Sequence, residues 1–397
     1  MIWENSLDRK PAETVRIAAS YSTDAAEALT DIARQLDGAR ASFILLFVPS
    51  TLDLDGLAAA MPQALPGAVV YGCTTAGQIT SRGYESETLL ALAFPREHFR
   101  VASKLFSPVA PVSIAEVVSQ TETMVERFRI TPGRKRLALM FSDGLSKQED
   151  LIAAALEAGL RDIPVFGGSA GDGLAFERTF VLHGGKFHTN AALLLLIETN
   201  LTYKGLGFDH FQPTDKRMVV TRAVPEERLV LEINGSPAAS EYARLVGVPL
   251  DSLSPIVFAE NPVLVHNRNI YHVRAIQQIH GESGLTFLSA IDDGLLLTLG
   301  SGKEIIRTLD HSLTVQDDRG DEPDFILGFD CYLRKLEIEH KGLCDEASRH
   351  FRKHRVVGFN TYGEQHLGVH VNQTFVGVAF FSRPGVKCCH DRSKRSA

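Results

Sequence analysis

Residues 41–77 and 136–171 of this chain carry one pattern twice, ASFILLFVPSTLDLDGLAAAMPQALPGAVVYGCTTAG and RLALMFSDGLSKQEDLIAAALEAGLRDIPVFGGSAG. Each copy reads as an apolar strand, a polar turn, a helix, a second apolar strand and a Gly/Ser/Thr turn. Both helices have a small-residue centre, Leu57-Ala58-Ala59-Ala60 in one and Ile152-Ala153-Ala154-Ala155 in the other. The second strands end alike, Val70 to Gly77 answering Val165 to Gly171, and a further apolar strand follows each, Leu89 to Phe94 and Ala191 to Ile197. A duplicated β-α-β-β unit, with strands flanked by helices, is the economical reading. It places repeats at 41–94 and 136–197 inside an N-terminal domain of residues 15–220.

The glycine-rich turns invite two readings. Bare backbone N–H groups at such a turn can cradle an anion; equally, glycine allows a tight turn and close packing between repeats. Neither turn matches a P-loop or a dinucleotide fingerprint, and no acidic residue sits at the spacing a ribose needs.

From about Val219 the pattern changes. Strand-like runs at Val263 to Val265, Tyr271 to Ile276, Leu285 to Leu288 and Leu295 to Thr298 follow a helix beginning near Pro237. Phe325 to Leu333 then reads as a strand, Glu337 to His354 as a helix, and Val356 to Phe359 and Phe375 to Phe381 as the closing strands of a hairpin. The prediction is an α/β to α+β protein, with an α+β C-terminal domain over 221–383 and a disordered basic tail over 384–397. A chain of 397 residues is long enough for two such domains.

Charge and cysteine content narrow the setting. With 48 acidic against 41 basic residues the chain has no general attraction to nucleic acid or anionic membrane. The first twenty residues lack the apolar stretch of a secretory signal, and no run reaches about 18 apolar residues, so a cytoplasmic location is expected. Five scattered cysteines argue against a disulfide framework.

Chemistry concentrates in GFNTYGEQHLGVHVNQTFVGVA, residues 358–379. Tyr362, Glu364, Gln365, His370, Asn372, Gln373 and Thr374 stand between two apolar runs, and polar groups in such a place either brace one another or face a ligand. Cys73 sits in a glycine turn with no neighbouring histidine, so no enzyme is expected. Cys388-Cys389-His390 lacks a second ligand pair for zinc. Non-covalent haem needs only one axial ligand in an apolar pocket. His210 lies between Phe208 and Phe211 in GFDHFQPT, which suits such a pocket or places two core rings around a solvent-facing imidazole. His370, the second candidate, shares its face with Asn372 and Thr374, where a hydrogen bond to Glu364 or Asn372 is the alternative.

Taken together, VVYGCTTAGQI, VFGGSAGDG, VVTRA with LEINGSPAASEY, and TYGEQ with NQT resemble the FIST proteins, a bacterial sensory class with N- and C-terminal FIST domains. FDHFQPTDKRMVVTRA, GFDCYLRKLEIE and GFNTYGEQHLGVHVNQT look most like its haem-binding, nitric-oxide-sensing members. That resemblance implies a haem b protein that binds nitric oxide and signals through a histidine kinase or a cyclic-di-GMP enzyme, with a homodimer an open assembly. His210 is then the expected iron ligand, with Phe208, Phe211, Tyr362, Glu364 and Asn372 lining or bracing the pocket. The alternative is a haem-free FIST module in which Tyr362, Glu364, Asn372 and Gln373 grip an amino-acid-like ligand.

Overall fold

The computed structural model describes residues 14–267, 270–366 and 368–382. The expected tail and Cys388-Cys389-His390 lie outside them. The expected α/β to α+β mixture is present, but the repeat runs further than its sequence signal: the unit occurs three times.

In the first unit the strand Arg16–Ser20 leads through the helix Ala25–Gln35 to the strand Ala41–Pro49, the helix Leu54–Ala64 and the strand Val70–Thr75. A two-stranded hairpin (Gln78–Thr80 and Gly83–Glu85) and the strand Leu89–Pro95 complete it. The second unit repeats this from Phe99–Phe106 to Ala192–Thr199, with its hairpin at Val181–His183 and Lys186–His188. The third opens with Thr202–Phe208 and resumes, after an insertion, with the helix Ile305–Leu313 and the strand Phe325–Cys331. Two short helices, Tyr332–His340 and Cys344–Lys353, lead to the strand Val356–Thr361, a hairpin at Glu364–His366 and Val369–Val371, and the strand Phe375–Phe381.

The sequence patterns explain the layers. Asp24 caps the first helix by accepting from Glu27 N at 2.8 Å, and Ala25, Ala28, Leu29 and Ile32 form its buried stripe at helical spacing. Along Ala41–Pro49 the side chains alternate: Phe43, Leu45 and Phe47 enter a central core, while Ile44, Leu46 and Val48 lie under the helices. Leu137, Leu139 and Phe141, and again Phe325, Leu327 and Phe329, enter the same central core. Phe47 and Phe141 meet edge to face at 6.0 Å, and Phe141 and Phe329 at 6.2 Å. Three sheets therefore wall one core, with the helices outside.

The units are bound in a ring. Each unit's hairpin leaves its own sheet and adds to the edge strand of another. Val181–His183 pairs with Val70–Thr75, Glu364–His366 with Val165–Ser169, and Gln78–Thr80 with Val356–Thr361. The glycine turns repeat the exchange through backbone bonds. Gly171 N donates to the Thr74 carbonyl at 3.1 Å, Tyr362 N to Ser169 at 3.3 Å, and Ala76 N to Asn360 at 3.1 Å. Position for position these are one contact made three times.

The ring also explains the glycines at Gly72, Gly167 and Gly358. A Cβ at these positions would fall 1.8, 2.0 and 1.8 Å from the carbonyl oxygens of Leu46, Met140 and Gly328 on the neighbouring parallel strand. Close approach of backbone thus decides between the two readings of these turns, because their N–H groups already bond the next unit.

The structure corrects the expected C-terminal hairpin. Val356–Thr361 and Phe375–Phe381 flank Phe325–Cys331 on opposite sides, one parallel and one antiparallel, and do not pair with each other. The helices between Cys331 and Val356 make the crossover that parallel neighbours require. The charged segment read as one strand to Leu333 ends its strand at Cys331.

The insertion, Phe211 to Gly302, forms its own sheet around Tyr242, Phe258, Ile233 and Phe287. Phe211, Ala259, Leu264, Ala275 and Leu288 of the insertion pack against Cys331 and Leu333, seating it on the third unit. The expected boundary at 220–221 falls within the strand Phe211–Val224. No described helix is long and apolar enough to cross a membrane. Among the described residues Cys73, Cys331 and Cys344 are unpaired.

Candidate functional site

The polar segment divides by role, and the ring repeat shows how. Glu364 is fully buried; it accepts from the Thr361 hydroxyl on one oxygen and from Thr374 N at 3.1 Å on the other. At the equivalent place in the first unit Gln78, also fully buried, donates to Thr75 Oγ1 at 2.7 Å and accepts from Thr88 N at 3.4 Å. The two side chains make the same brace. Burial pushes the Glu364 carboxyl well above its usual range, which makes it the neutral counterpart of that glutamine.

Tyr362 and Asn372 are braces as well. The Tyr362 hydroxyl bonds the Asp172 carboxylate and the Gly173 carbonyl (2.7 Å), and its ring lies 4.9 Å from that of Phe176. Asn372 Nδ2 donates to the Tyr362 carbonyl at 3.2 Å, and its Oδ1 accepts from Ala275 N of the insertion at 3.5 Å. Gln373, at φ +48°, donates to the Ala259 carbonyl at 2.8 Å.

His370 leads to a different neighbourhood. Its Nδ1 meets Gln365 Nε2 at 2.8 Å and its Nε2 meets the Leu288 carbonyl at 3.3 Å. Because an amide nitrogen only donates and a carbonyl only accepts, the proton sits on Nε2. Burial pushes the imidazole down to about 4, so it is neutral at physiological pH. Around it the hairpin of the third unit, the helix Glu149–Leu160 of the second and the insertion converge.

Arg228, 4% exposed, donates to Glu149 at 2.6 Å, to Asp150 at 2.8 Å and to the Leu288 carbonyl at 2.6 Å. Burial raises the Glu149 carboxyl to about 7 against the pull of Arg228. Burial also pushes Asp150 up, but His370, charged only in acid, together with Arg228 and Arg274 more than reverses that and leaves it below its usual range. Arg274 Nε and Nη1, Ser289 Oγ and Gln365 Oε1 are buried without partners among the described residues.

The structure places His210 elsewhere, under the helix Tyr332–His340. Its ring is fully buried, with Nδ1 3.0 Å from Arg334 Nη1 and Nε2 2.9 Å from Glu337 Oε2. A guanidinium can only donate, so Nδ1 carries the lone pair and Nε2–H donates to Glu337. Burial and then Arg334 lower the imidazole's pKa, with Glu337 pulling the other way. Arg334 in turn pairs with Asp330 at 2.8 Å, and Asp330 accepts from the Tyr84 hydroxyl. The run Tyr84–Asp330–Arg334–His210–Glu337 therefore ties the first and third units to the entrance of the insertion.

Of the expected apolar pocket, Phe208 stacks on Phe375 at 5.1 Å beneath the Arg334 guanidinium, and Phe211 packs 4.1 Å from the His210 ring. Both nitrogens of His210 and both of His370 are engaged, so neither residue, as placed, fits an axial haem ligand. The structure joins Tyr362 and Asn372 directly and braces Glu364 between Thr361 and Thr374, while His210, Phe208 and Phe211 gather around Arg334 and make no direct bond to those three.

Glu149, Asp150, Arg228 and Arg274 were missed at the sequence level. The available signal was weak: Arg274 is the charge inside the apolar run YHVRAI, and Glu149-Asp150 open a helix.

Comparison with known proteins matches residues 42–236 to the FIST N domain and 238–366 to the FIST C domain. The chain is also similar to an uncharacterized protein of Methanocaldococcus jannaschii, 24% identical over 270 residues, which cover 65% of this chain and 51% of that one. The chain spans about half the length of the curated relative it matches.

Proposed function

The chain is a FIST-domain protein, carrying the sensory module's N and C domains in order, and we propose that its ligand is a small, amino-acid-like carboxylate held where the insertion meets the second and third units. The observation that carries this reading is the unpartnered guanidinium edge of Arg274 in a buried, positively biased junction. Two guanidiniums, Arg228 and Arg274, stand against one firm carboxylate, Asp150, and one acid, Glu149, whose carboxyl burial raises to about 7, which biases the junction toward positive charge. Each unpaired buried N–H costs about 1–3 kcal/mol, and a bidentate carboxylate removes that cost. Arg274 is only partly buried, which leaves a route in. Ser289 Oγ, Gln365 Oε1 and Asp150 supply the further polar groups a zwitterion requires.

Such a ligand would add to the bonds that already join the three elements, and so would favour one seating of the insertion on the ring. The readout passes to a separate protein; a histidine kinase or a cyclic-di-GMP enzyme is the class the sequence resemblance suggests. A non-enzymatic role accords with Glu364, the one candidate base, serving as a brace.

Thermal unfolding in the presence of amino acids and dicarboxylates tests the proposal. A ligand at 100 times its Kd stabilises by about 2.7 kcal/mol. Arg274→Met should abolish that gain while leaving the ligand-free protein as stable as the parent or more so, since it removes an unsatisfied buried cation. No stabilisation by any carboxylate refutes the reading. A Soret band lost with His210→Ala would establish haem in its place, and would require His210 to leave Arg334 and Glu337.

A further inference from the structure

On the outer face of the third unit, the helix Cys344–Lys353 presents His350, and His354 follows four residues later at its C-terminal cap. Residues four apart on a helix share a face. Opposite them the helix Ile305–Leu313 presents Asp310. His350 Nδ1 lies 2.8 Å and His354 Nε2 3.2 Å from the same oxygen, Asp310 Oδ1. The three atoms all lie within 4.8 Å of one another.

Lys353 Nζ reaches the same oxygen at 2.8 Å, so three donors crowd one carboxylate oxygen that has two lone pairs. A cation at the centre resolves that crowding by turning both imidazoles from donors into ligands. We propose that Asp310, His350 and His354 form a binding site for a borderline divalent transition metal, of which zinc is the type.

Two nitrogens and one carboxylate oxygen are the donor set that imidazole-preferring metals take and that calcium and magnesium do not. The side chains of His350 and His354 are 21% and 11% exposed, enough to admit an ion while leaving a fourth position to water. Lys353, its side chain 59% exposed, is free to swing into solvent when the ion enters. The metal would clamp the helix Ile305–Leu313, which follows the insertion, to the helix before the strand Val356–Thr361. The site is separate from the carboxylate site proposed above and does not depend on it.

The test uses the full chain freed of metal. Cobalt(II) titration followed by visible absorption should show tetrahedral d–d bands saturating at one equivalent, and zinc should displace the cobalt. His350→Ala/His354→Ala and, separately, Asp310→Asn should weaken binding by at least about 100-fold, with far-UV circular dichroism confirming that both variants fold. Lys353→Ala should tighten binding, because it removes a cation from the site. Cys388→Ser/Cys389→Ser should leave it unchanged. The proposal is overturned if the parent chain takes up no cobalt at micromolar concentration, which would make these residues an ion-paired cluster only. It is equally overturned if the double histidine variant binds as the parent does, or if binding disappears with the two cysteines.

Discussion

Replacing Glu364 with glutamine should stabilise this protein at neutral pH, although it alters a fully buried side chain. Glu364 bonds the Thr361 hydroxyl and Thr374 N, and Gln78 makes the corresponding pair to Thr75 and Thr88. A glutamine at 364 keeps both contacts, Oε1 accepting from Thr374 N and Nε2 donating to the Thr361 hydroxyl, which in the parent donates to Glu364.

The difference lies in the proton. Burial raises the folded-state pKa of Glu364 well above the ordinary carboxyl value. The unfolded chain releases its proton at the ordinary value and the folded chain does not. The contribution of Glu364 is therefore intact below about pH 4 and declines as pH rises toward the folded pKa. The loss is about 1.4 kcal/mol for each pH unit in that window. Urea unfolding of parent and Glu364→Gln across pH 4–8 reads it directly. The stability difference should start near zero at pH 4 and grow with that slope in favour of the variant. A variant less stable at every pH, or a difference that does not change with pH, would refute the protonated-brace argument and return Glu364 to the role of a charged ligand contact.

Asn372→Ala removes the partner of the Tyr362 carbonyl and of Ala275 N and should lower stability by about 1–3 kcal/mol in chemical denaturation; unchanged unfolding would mark Asn372 as a binding surface instead. His370, at about 4, is neutral in the fold while the unfolded imidazole protonates below about 6.5. Stability should consequently fall by about 3 kcal/mol as pH drops from 6.5 to 4, and His370→Gln should flatten that limb in acid-unfolding curves. Gly167→Ala puts a methyl 2.0 Å from the Met140 carbonyl at φ +142° and should leave little folded protein on size exclusion.

What was legible in the chain was local. Alternate packing of Phe43, Ile44, Leu45 and Leu46, the alanine-rich helices and the glycine turns all follow from side-chain periodicity and backbone sterics within a few residues. The brace around Glu364 was half legible, since polar residues between two apolar runs must pair with something. The third unit was not, because a 92-residue insertion from Phe211 to Gly302 parts its first strand from the rest and two short helices replace one. Nor was the ring, whose hairpin exchange between units has no signature in any single segment. His210 shows the same limit at the scale of one residue. Its neighbours Phe208 and Phe211 suggested an apolar pocket, yet Arg334 and Glu337 occupy its two nitrogens from a helix more than 120 residues away. Periodicity decides which face of an element is buried; only the packing of distant elements decides which charge meets that face, and this is why Arg274 and its unpartnered edge came from the tertiary structure alone.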